Sequence, residues 1–111
     1  AIEMDPKTDA AYHNLANLRM RAGDLGGALA LYTQALEVRR DNPYLHYHRG
    51  LVQYRLGDLG AAEESFKRAV RLQRDYIEAH NLLAQVYYQQ GRLEEAEEVK
   101  ATVQRILAGK R

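Results

Sequence analysis

The sequence predicts an all-α chain built as a stack of antiparallel helix pairs, and three observations lead there. "GDLGGALALYTQAL" begins at Gly23, "GDLGAAEESFKRAV" at Gly57 and "GRLEEAEEVKATV" at Gly91, so one phrase returns every 34 residues. A fixed period of this size marks repeated supersecondary units that share a continuous core. Ala, Leu, Glu, Gln and Arg dominate, with apolar residues three and four apart, as in amphipathic helices. Val, Ile and Thr form no alternating runs, so strand signals are weak throughout.

The elements follow in order between the glycines. The pattern predicts helices near 9–22 and 25–38, then 43–56 and 59–72, then 77–90 and 93–107. Gly23, Gly57 and Gly91 can each take the left-handed conformation that ends the first helix of a pair. Asp24 and Asp58 stand where the second helix needs an N-cap. Asn42-Pro43 reads as an N-cap with proline at the first helical position, where its missing N–H costs nothing. Turns this short force antiparallel neighbours.

Matched slots name the expected core. Small residues recur at Ala16, Gly50 and Ala84 and at Ala28, Ala62 and Ala96, allowing close helix approach; Leu25, Leu59, Leu93, Tyr32 and Phe66 fill the remaining space. The last helix carries one apolar stripe, Leu93, Ala96, Val99, Val103, Ile106 and Leu107, as a terminal cap requires. "AIEMDP" aligns with the helix endings "ALEVRR" and "AVRLQR". The expected organisation is therefore the end of a preceding repeat at 1–8, units at 9–42 and 43–76, and a third unit with its capping helix at 77–111, as a fragment of a longer array.

Composition narrows the function. Sixteen basic against 15 acidic residues give a net charge of +1, too balanced for a surface that neutralises phosphates. This argues against nucleic acid as partner. No apolar run approaches the roughly 20 residues that span a bilayer, so membrane insertion is not expected. The composition is that of a soluble chain, with the cytoplasm as default; the absence of cysteine leaves the compartment open. His46 and His48 point about 200° apart on a helix and cannot chelate one ion. His46 and His80 share a repeat slot, which favours packing. No nucleophile–base pair, zinc motif or phosphate-binding glycine loop is visible. The sequence thus predicts a non-catalytic chain without cofactor or metal.

The units resemble the tetratricopeptide repeat, whose pattern runs from an aromatic through Leu-Gly/Ala and Tyr to Ala, an aromatic and Pro. The first unit matches at Tyr12, Leu15-Ala16, Ala28, Tyr32 and Ala35, the second at Gly50, Ala62, Phe66 and Ala69, and the third at Leu83-Ala84, Tyr87 and Ala96. Departures are His46 and His80 in the leading aromatic slot, Arg49 in the leucine slot, and Arg19 and Gln53 in the tyrosine slot. The resemblance implies a right-handed solenoid whose first helices line a concave face, and with it a protein-interaction module. Family members that clamp acidic chaperone tails use two lysines, two asparagines and an arginine. The matching slots here hold His13, Asn17, His48, Glu78 and Leu82, of which only Asn17 agrees, and Glu78 would repel a carboxylate.

On the central first helix Tyr44, Tyr47, Leu51 and Tyr54 fall on one side. The equivalent strips hold His13, Asn17 and Met20 in the first unit and Asn81, Gln85 and Tyr88 in the third. Asn14, Arg21, His48, Arg55 and Gln89 are expected on the edges. Tyrosine suits binding surfaces, and amides pair with the main chain of an extended segment. The expected activity is therefore non-covalent binding of a partner's peptide segment. The plainer alternative is that the tyrosines only cover gaps between helices. Two other functions stay open: self-assembly through the array ends into a homo-oligomer, and a substrate-docking arm of a larger enzyme, which similarity to repeat-bearing glycosyltransferases allows. If Tyr47 and Tyr54 are anchors, replacing them should cost little packing. His13 and His48 should strengthen binding of an acidic partner as pH falls through about 6.5.

Overall fold

Three glycines set the architecture. Gly23, Gly57 and Gly91 have φ of 84°, 86° and 76°, in the left-handed region where a side chain is strained. At each, the amide of the following residue donates back across the turn: Asp24 to the Arg19 carbonyl, Asp58 to Gln53 and Arg92 to Tyr87. These are Schellman closures, which satisfy carbonyls left over at a helix end. The computed structural model describes residues 6–109, with side chains from 11 onward. Its helices are α1 (Pro6–Arg21), α2 (Leu25–Val38), α3 (Pro43–Arg55), α4 (Leu59–Leu72), α5 (Ile77–Gln89) and α6 (Leu93–Gly109).

The caps are those the sequence encodes. Asp24 and Asp58 accept from the amides of Gly27 and Ala61, and Asn42 accepts from Tyr44 and Leu45 ahead of Pro43. The third unit has Arg92 in the aspartate slot. Its guanidinium instead reaches Glu63 at 2.7 Å and also pairs with Glu95, clipping α4 to the start of α6. Helix α1 begins at Pro6, three residues before the expected 9, since proline is at ease in a first turn. The expected tail of a preceding repeat falls largely on residues 1–5, outside the described residues.

Each helix packs chiefly on its neighbours in sequence, so the chain stacks along one direction. Its radius of gyration is 14.5 Å, against about 13 Å for a compact domain of this length. Ala16, Ala28, Ala62, Ala84, Ala96, Tyr32 and Phe66 are all buried, as the repeat slots require. Leu93 and Leu107 depart from the expected stripe and are exposed, because no further helix covers α6 among the described residues.

The family's missing residues are replaced by a polar network. Arg49 Nε donates to Ser65 Oγ at 3.2 Å, and Ser65 donates to Gln53 Oε1 at 2.6 Å. Ser65 is buried on α4, and the two departures at Arg49 and Gln53 together satisfy its hydroxyl, one as donor and the other as acceptor. His46 and His80 do pack: their Nε2 atoms lie 2.7 and 2.9 Å from the carbonyls of Arg40 and Arg74. A carbonyl only accepts, so both rings carry their proton on Nε2. Burial holds the His46 imidazole below its usual range, which keeps it neutral.

Candidate functional site

The first helices of the three units present adjoining faces. His13 of α1 meets His48 of α3 at a ring separation of 4.5 Å, and Gln89 of α5 donates to the Tyr54 hydroxyl of α3. These contacts carry the strip from one unit to the next. Asn14, Asn17, Arg21, Tyr44, Arg55, Asn81, Gln85 and Gln89 are exposed along it. His13, Met20, Tyr47, His48, Leu51, Tyr54 and Tyr88 are half-buried. Every candidate residue thus keeps access to solvent.

Their surroundings differ from the expected ones in two places. His48 does not stand on an edge. It sits in the α1–α3 seam, with the Tyr32 ring stacked 5.7 Å away, His13 at 4.5 Å and Tyr47 at 5.1 Å. Burial, and secondarily His13, push its imidazole down to about 4. It therefore stays neutral through pH 6.5, and the expected gain of charge there does not apply to it.

Tyr47 is the second correction. It packs 5.9 Å from Phe66 and 5.0 Å from Tyr76, against buried Ala69 and Ala79. Replacing it would open the core, so it is not the harmless truncation the helix pattern suggests. Leu51, Tyr54 and Tyr88 also lean on the cluster of Phe66, Leu83 and Val86. Met20 leans on that of Ala16, Ala28 and Leu36.

Three neighbours of the strip escaped the sequence reading. Tyr76, just before α5, is buried against Tyr44 and Tyr47. Lys100 and Glu97 reach over from α6 to the Tyr88 hydroxyl, which donates to Glu97 at 2.7 Å and accepts from Lys100 at 3.1 Å. Lys100 fills the slot of Tyr32 and Phe66, and its ammonium also lies 5.4 Å from the Tyr88 ring. The signal for Tyr76 was available: it follows α4 by a short loop and precedes the first turn of α5. Among the described residues no group of three metal-ligating side chains converges. No described helix is long and apolar enough to cross a membrane.

Known structures share this fold. MamA superposes with a TM-score of 0.87 at 19% identity over 91% of this chain, which spans 59% of the MamA chain. The first TPR of Spaghetti (RPAP3), bound to the HSP90 peptide SRMEEVD, gives 0.86 at 24% identity, covering 96% of this chain and 84% of that one. The Yersinia enterocolitica type III secretion chaperone SycD, in complex with a peptide of the translocator YopD, gives 0.89 at 18% identity, covering 98% and 83%. At these identities the likeness is one of fold. No curated protein matches the sequence. Two tetratricopeptide repeat models do match it, over residues 13–77 and 53–108. With three left-handed glycines and six stacked helices among its described residues, the chain belongs to the tetratricopeptide repeat family.

Proposed function

We propose that the chain is a protein-interaction module that holds an extended segment of a partner across the face of α1, α3 and α5. One observation carries this reading. On α3, Leu45, His46, Gly50 and Val52 are buried, while Tyr44, Tyr47, Leu51 and Tyr54 keep contact with water. An aligned row of aromatics that keep one edge in water is a feature of interaction surfaces. Exposed Asn17, Asn81 and Gln85 flank it with donors and acceptors for a bound main chain. The peptides held by Spaghetti and SycD on the same fold support the reading. Binding is non-covalent, on a face whose side chains are already held by packing.

The test is affinity capture of partners by the full-length protein, read by mass spectrometry, with the parent beside Tyr54→Ala/Gln85→Ala. Each change should remove about 1–2 kcal/mol of binding, enough to deplete the captured partner. Retention of every partner by a variant that melts like the parent would refute the assignment.

Self-association is a second reading, favoured by the outer side of α1. Among the described residues Leu15 and Leu18 are 44% and 61% exposed there. Their repeat equivalents Leu83, Val52 and Val86 are buried by the preceding helix. A second copy covering this seam should make the mass rise with concentration in sedimentation, and Leu18→Lys should abolish that rise. A constant monomer mass excludes it.

A further inference from the structure

The tyrosine row ends in a pocket with a chemistry of its own. Tyr44 and Tyr47 of α3 meet Tyr76 at ring separations of 5.3 and 5.0 Å, the first pair nearly edge-on at 65°. These three rings, with Asp75 and Glu78, line a cavity of about 480 Å³. Tyr76 forms a buried wall, whereas Tyr44 is 54% exposed, so its ring is open to a ligand.

The electrostatics select the ligand. Aromatic faces are electron-rich and attract a cation within about 6 Å of the ring centroid. Glu78 adds a full negative charge. Burial and then the Glu78 carboxylate raise the Tyr47 hydroxyl above its usual range, and burial, Tyr47 and Glu78 do the same for Tyr76. Asp75 lines the same space as Glu78, so the carboxylates at the pocket are those of both residues. The amino end of α5 opposes a cation with about half a positive charge, less than Glu78 supplies. His48 also lines the cavity and adds no charge at neutral pH, since its imidazole titrates at about 4. An acidic side chain would be repelled here.

We propose that this pocket takes the lysine or arginine side chain of a bound peptide, its cation laid over the tyrosine rings and facing Glu78. This rests on the peptide-binding reading above and adds what the segment must carry.

Two probes test it. N-acetyl-arginine amide and its neutral counterpart N-acetyl-glutamine amide are titrated into the isotope-labelled chain and followed by amide NMR. The arginine probe should give saturable shifts at Tyr44, Tyr47 and residues 75–78. These should weaken severalfold in Glu78→Gln, in Tyr44→Ala and in high salt, and be absent with the glutamine probe. Equal response to both probes, no localised response, or a response that Glu78→Gln leaves unchanged overturns the proposal. Both substituted residues are exposed, and circular dichroism melting verifies that the variants fold.

An array of random short peptides separates this failure from that of the broader reading. Bound peptides should be enriched in lysine or arginine, and Glu78→Gln should remove the enrichment while sparing the remaining binding. Peptide binding without enrichment sinks the cation pocket alone. If no peptide binds, both readings fall.

Discussion

Replacing Gly50 by alanine sets a single methyl against the ring of Phe66. An ideal Cβ at Gly50 stands 2.7 Å from Cε1, 2.9 Å from Cδ1 and 3.0 Å from Cζ of that ring. Carbon contacts are comfortable only from about 3.5 Å, so the ring must retreat by roughly 0.5–1 Å. It has little room. Phe66 is fully buried in the cluster of Ala62, Leu83, Val86 and Tyr87, with Tyr47 against it. Overpacking of this kind costs about 1–3 kcal/mol, and three simultaneous close contacts place it in the upper part of that range. Alanine regains about 1 kcal/mol of helix propensity over glycine.

The net expectation is a loss of about 1–2 kcal/mol, which lowers the urea midpoint by about 0.5–1 M for a slope near 2 kcal/mol/M. The first unit holds Ala16 in this slot, in one cluster with Tyr32, so alanine is compatible with the repeat where the facing ring leaves room for it. Phe66→Leu in the same chain should relieve the clash and make Gly50→Ala neutral or favourable. A coupling of about 1 kcal/mol or more is therefore expected between the two. An unchanged or raised midpoint for Gly50→Ala, or additivity within about 0.5 kcal/mol, would refute the packing argument.

Two further expectations concern buried polar groups. The His48 imidazole titrates at about 4 in the fold against 6.5 ordinarily. The unfolded chain therefore takes up its proton first, and stability should fall as pH drops from 6.5 to 4 and level off below. The loss is on the order of 2 kcal/mol after discounting for partial exposure. Melting curves across that range should be flatter for His48→Gln than for the parent, and identical slopes would contradict the burial of His48. Ser65→Ala removes the hydroxyl between Arg49 and Gln53 and should cost about 1–2 kcal/mol in chemical unfolding. Full stability in that variant would show that water serves both partners equally well.

The sequence by itself determined every feature that depends on a few consecutive residues. The left-handed glycines, the Asp24, Asn42 and Asp58 caps and the boundaries of α2 to α5 are local chemistry, repeated in phase and therefore legible. The 34-residue slots also named the buried small residues, because equivalent positions meet equivalent neighbours. Tertiary structure decided what the outward faces became. Helical spacing puts Tyr47 and Tyr44 on one side of α3, yet Tyr76, arriving from the far end of α4, packs against both, and Tyr47 is half-buried while Tyr44 stays exposed. The same spacing leaves His48 on an edge, while the approach of α1 and α2 closes it between Tyr32 and His13. Periodicity fixes the direction of a side chain from its own helix. Which residues meet it there depends on how helices distant in sequence cross, and that crossing is set by the packing of the whole stack.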